Sequence, residues 1–111
     1  MIGSLTKIEE KALREFKTEL MRRYPKRVKK VILYGSKARG EAAPDSDIDV
    51  LILADRKDLG FENRISDLLY PIIEKYGYTL VITKMLYDYD QFQADRDHLF
   101  VKNVLREGIE I

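Results

Sequence analysis

The chain has 111 residues, of which 45% are hydrophobic and 35% charged, with a formal net charge of +1. That balance excludes a disordered polyelectrolyte and predicts one domain, residues 1–111, around a core of modest size. Cysteine is absent, which excludes disulfides and thiolate metal sites, and no apolar run approaches the ~18 residues that span a bilayer.

The opening MIGSLTKIEEKAL carries acids at helical spacing, unlike a secretory signal, so a cytoplasmic protein away from membranes is expected. Thr6-x-x-Glu9 has the form of a capping box. It starts a helix on which Ile8, Ala12, Phe16 and Leu20 share one face, and Pro25 closes that helix. A first strand is predicted over Val28 to Tyr34 and, after a loop, a second over Ile48 to Ala54. The next helix spans about Phe61 to Tyr76, with Ile65, Leu68, Leu69, Ile72 and Ile73 inward. Pro71 predicts a kink or interruption near Ser66 to Tyr70. Gly77 ends the helix, and Tyr78 to Thr83 reads as a third strand. A last helix starts near Asp88, with Gln91 at capping-box spacing, and runs to a left-handed cap at Gly108 before the tail Ile109–Ile111. The order αβ(loop)βαβα describes a small α/β sandwich, a sheet covered by helices.

Charge is unevenly spread: residues 1–40 hold twelve Lys/Arg against four acids, and residues 41–111 hold eight against fifteen. The basic stretch from Lys17 to Lys30 reads first as a solvated helix end and turn. Without interleaved aromatics beyond Tyr24, and with the overall charge near neutral, it argues against nucleic acid as partner.

Chemistry concentrates in YGSKARGEAAPDSDIDVLIL, residues 34–53. Gly35 ends a strand where a residue without Cβ lets the backbone turn and approach a phosphate, and Ser36 adds a hydroxyl. Lys37, Arg39 and Gly40 strengthen the phosphate reading. Asp47 and Asp49 fall on one face of the second strand, about 7 Å apart by strand geometry. At an effective dielectric near 20 their mutual repulsion costs roughly 2 kcal/mol, which bridging Mg²⁺ or Mn²⁺ and triphosphate oxygens would remove. A solvated, acid-rich turn after Pro44 is the plainer alternative for the pair. An EF-hand fails because Val50 and Arg56 stand where glycine and glutamate are needed, and a P-loop fails for want of Gly-Lys-Ser/Thr.

The spacing G-S-x10-D-x-D resembles the signature of the DNA polymerase β-like nucleotidyltransferases, and in a chain this short the minimal nucleotidyltransferases (MNT). The likeness runs more loosely from Val28 to the closing NVLREGIEI. It implies a mixed sheet, a metal-bound nucleoside triphosphate such as ATP held by Gly35, Ser36, Lys37 and Arg39, and metals held by Asp47 and Asp49. It implies transfer of a nucleoside monophosphate to a hydroxyl, often with a HEPN-domain toxin RNase as partner, modified on a tyrosine by its antitoxin. A homodimer is a further option.

The chain departs from that pattern at one point. The resemblance implies that active members usually carry a third carboxylate on a later strand, as general base or second-metal ligand, and Lys75 to Tyr87 holds no Asp or Glu, offering Thr79 and Thr83 instead. Asp88 and Asp90 read as helix caps. Two functions of different class therefore stand: a transferase completed by its partner, and an impaired nucleotide-binding module that masks a partner. The single histidine, His98, reads as a surface residue, and the cluster Tyr70, Tyr76, Tyr78, Tyr87 and Tyr89 as core edge or partner anchor.

Overall fold

The computed structural model describes residues 2–43 and 45–111; Pro44 lies outside them, and of the acid-rich segment after it Asp45 is an exposed turn residue and Asp47 is exposed just before the second strand. The first helix, α1 (Lys7–Arg23), is capped by Thr6 and Glu9 acting reciprocally, as their spacing predicts. Ala12, Phe16 and Leu20 are buried, whereas Ile8, expected on the same face, is 57% exposed. The buried position in that turn belongs to Glu9, drawn inward by a charged partner described below.

Strands β1 (Val28–Tyr34) and β2 (Ile48–Ala54) have the predicted bounds and pair antiparallel, with Tyr34 opposite Asp49. Between them lies one turn of helix, α2 (Ser36–Arg39). The long helix α3 (Leu59–Lys75) begins at an Asp58 cap and continues through Pro71 without the expected interruption. Both Pro71 and Asp67, whose carbonyl loses its helical donor, are exposed, so water can satisfy the freed group.

The third strand, β3, occupies Ile82–Asp88 rather than Tyr78–Thr83. Gly77 and Tyr78 both take positive φ, at 68° and 59°, and spend the β-prone residues after them on a turn. The ladder begins where the Ile48 amide donates to the Val81 carbonyl. Strand β3 runs parallel to β2, placing Thr83 opposite Asp49. The expected last helix is two, α4 (Tyr89–Ala94) and α5 (Leu99–Glu107). Asp88 precedes α4 but makes no side-chain cap; its carboxylate accepts from the Lys57 amide instead. Gly108 is extended, not left-handed, and is required for space: a Cβ there would lie 2.6 Å from the Val104 carbonyl oxygen. The tail contributes β4 (Ile109–Glu110), antiparallel to β1.

The mixed sheet has the order β3-β2-β1-β4. Period-two alternation splits its residues between two cores. Val31, Leu33, Val50 and Ile52 pack with Phe16, Leu20, Ile65 and Leu69 of α1 and α3. Ile32, Leu51 and Leu53 pack with Phe92, Val101 and Val104 of α4 and α5. Among the described residues no helix is long and apolar enough to cross a membrane.

Candidate active site

The end of β1 and the start of β2 meet because the two strands are antiparallel, so the residues after Tyr34 face those before Val50. Alternation puts Asp47, Asp49 and Leu51 on the sheet face covered by α4 and α5, with Tyr34 and Thr83 on either side of Asp49. Gly35 turns the chain with φ 76° and opens α2, whose first residue is Ser36. A Cβ on Gly35 would sit 2.4 Å from Asp49 Oδ2, so the carboxylate rests where only glycine leaves room. Its other oxygen, Oδ1, accepts a 2.7 Å hydrogen bond from Thr83 Oγ1. Asp47, one step before the strand, is exposed. Burial and, after it, the Asp49 charge push the Tyr34 hydroxyl above its ordinary pKa.

Gly35, Ser36, Asp47 and Asp49 thus stand at one end of the sheet, as their spacing predicts. A cavity of about 140 Å³ opens beside Gly35, lined in part by Tyr34, Arg39, Phe100, Asn103 and Glu107. Arg39 stands at its edge, exposed and bonded to Glu41 at 3.1 Å and Glu107 at 3.3 Å. Lys37 is placed otherwise than the phosphate reading expects. It is 2% exposed, with Nζ 3.0 Å from Glu9 of α1, so its charge is spent inside the protein. Thr79 lies in the turn after α3, donating to the Tyr76 carbonyl at 2.7 Å. His98 is on the surface, 3.6 Å from Asp95.

Sequence reasoning left Tyr34, Phe100 and Asn103 out of the site. For Tyr34 a signal existed, since the residue before the Gly-Ser turn must pair near the aspartates. For α5 residues none did, because only the folded sheet brings them over β1.

The donor set fits a small hard divalent cation. Two carboxylates offer oxygen ligands, and the described residues contain no group of three His, Cys, Asp or Glu able to cage a metal unaided. Mg²⁺ is commonly held by one or two carboxylates together with substrate phosphates. The model of the nucleotidyltransferase domain matches residues 13–109. The chain belongs to that family. It is also similar to a protein of Methanocaldococcus jannaschii named "Putative protein adenylyltransferase MJ0604", 41% identical over 90% of this chain and 94% of that one. A second protein of that organism with the same style of name, MJ0126, is 41% identical over 60% of this chain and 69% of its own.

Proposed function

We propose that the chain transfers the adenylyl group of Mg²⁺–ATP to a hydroxyl on a partner protein. The observation that carries this reading is the carboxylate of Asp49 lodged against Gly35, with Asp47 beside it, in a nucleotidyltransferase domain. The names of its M. jannaschii relatives point to protein as acceptor and adenylyl as the group. Gly35 and Ser36 would hold the outer phosphates, Asp47 and Asp49 the cation, and Arg39 would balance charge at the cavity edge. A bound Mg²⁺ or Mn²⁺ neutralises triphosphate charge and makes the α-phosphorus easier to attack.

In the transfer the acceptor oxygen bonds to the α-phosphorus, the bond to the β-phosphate bridging oxygen breaks, and pyrophosphate leaves. The acceptor proton has no carboxylate beside Asp49 on β3 to receive it, because Thr83 occupies that position and the acid of the strand, Asp88, stands at its far end opposite Ala54. The partner that brings the hydroxyl would then supply the base as well, a contribution of typically 10²–10⁴-fold. A HEPN-domain protein, modified on tyrosine, is the partner that family resemblance suggests. The same missing acid favours a second reading, a nucleotide-binding module that masks its partner without modifying it.

Mass spectrometry of chain, ATP and Mg²⁺ with and without a candidate partner tests both. Adenylyl adducts on the partner, lost with Asp47→Ala, support transfer. A stable complex that never gains an adduct favours masking. Efficient labelling of unrelated proteins by the chain alone would overturn the partner-completed scheme.

A further inference from the structure

Asp49 is gripped from two sides. Thr83 Oγ1 donates to its Oδ1 at 2.7 Å, and Oδ2 lies over the bare α-carbon of Gly35. Thr83 reaches it because parallel pairing of β3 with β2 sets the two residues opposite each other on one face. A hydrogen bond to an ionised carboxylate is stronger than one between neutral groups, and here it fixes which oxygen remains free. The place beside Asp49 is filled by a neutral hydroxyl, and no third acid stands with the pair among the described residues.

We propose that Thr83 is a positioning residue for nucleotide transfer: it holds Asp49 with Oδ2 turned to the ligand and leaves the site with one divalent ion. This rests on the adenylyl-transfer reading and assigns a residue and an ion count that the reading does not. A carboxylate free to rotate would spend its binding energy on being ordered; one already oriented does not. A hydroxyl at this place adds no negative charge, so a second cation would have to share the two aspartates and the phosphates with the first.

A threonine inside a strand can also serve only packing and strand preference. The two roles separate by experiment on the full chain. Protein-bound Mn²⁺ is counted by electron paramagnetic resonance in the presence of a non-hydrolysable ATP analogue, with thermal melting measured alongside. Wild type is expected to take up one Mn²⁺ per chain. Thr83→Val keeps its melting temperature and loses affinity about 10–100-fold, the usual effect of removing a partner that orients a metal ligand. Thr83→Ser restores binding close to wild type, and Thr83→Asp takes up a second Mn²⁺. If Thr83→Val does not fold, Thr83→Ala carries the same expectation. Two ions in the wild type, or unchanged affinity in the folded Val or Ala variant, overturns the inference. If Asp47→Ala still abolishes binding in that case, the transfer reading survives and only the role of Thr83 is lost. A wild type that binds no Mn²⁺ with the analogue sinks both.

Discussion

At position 35 two demands coincide: the backbone takes φ 76°, and a neighbouring carboxylate oxygen fills the space of a side chain. With ψ −160° this is a region essentially reserved for glycine, and holding another residue in it costs about 1–3 kcal/mol. Gly35→Ala would also push Asp49 away from Thr83. The expected outcome is a folded protein whose Mg²⁺–ATP affinity, read by calorimetry, falls about tenfold or more, as when an oriented ligand is disturbed. Binding equal to wild type would show that Asp49 is not a ligand. At this scale the sequence was most informative where residues act through spacing along the chain. Gly35, Ser36, Asp47 and Asp49 are such residues, because strand geometry converts their separation into proximity. Lys37 is not. Its chemistry suits a phosphate equally well, and only the arrival of Glu9, from 28 positions earlier, decides otherwise.

Among elements, α2 is held from outside by the segment before α1. The Ser4 amide donates to the Lys37 carbonyl at 2.8 Å, and Lys37 Nζ meets Glu9, which also accepts from the Thr6 amide. This ion pair is buried, with side chains 2% and 10% exposed. Removing one member leaves an uncompensated charge, which typically costs about 3–5 kcal/mol. Glu9→Ala is expected to lose stability in that range by urea unfolding. Replacing both residues by methionine should cost less than Glu9→Ala alone; an equal or larger loss would show that the pair is net stabilising. Elements with strong periodicity and clear ends, α1, β1 and β2, were legible with their bounds. β3 was not, since Tyr78, Thr79 and Val81 look like strand residues until Gly77 and Tyr78 are seen to form a left-handed turn. The division of the last helix was hidden for a related reason. Residues 95–98 contain neither glycine nor proline, so nothing local announces the break between α4 and α5.

Over the whole molecule, acidic groups are held below their ordinary pKa by partners on other elements or turns. The Lys75 hydrogen bond acts on Glu15, the Arg27 guanidinium on Asp55, the Phe61 amide on Asp58 and the Tyr87 hydroxyl on Asp95. A carboxyl depressed by folding stabilises above its unfolded pKa and ceases to do so as pH falls through the folded value. Tyr34, Tyr76 and Tyr87 are shifted up, so their contribution is present below the phenol pKa and is lost as pH rises beyond it. Thermal melting is therefore expected to be flat near neutrality, falling below about pH 4 and again above about pH 10. A maximum on the acid side, at about pH 4, would contradict these assignments.

Both ends of the described chain converge on one strand and its turn. Ser4 is bonded to α2, while Ile109 pairs with Leu33 and the Ile111 amide donates to Val31. Contacts between residues this far apart in sequence carry the greatest loop-closure cost and form late. During synthesis, strand β1, which leads into Gly35, cannot gain its β4 neighbour until residue 110 has left the ribosome. Until then β1 presents an unpaired edge beside the turn that carries Gly35, so a chain halted before residue 109 would expose a strand edge open to pairing with another chain.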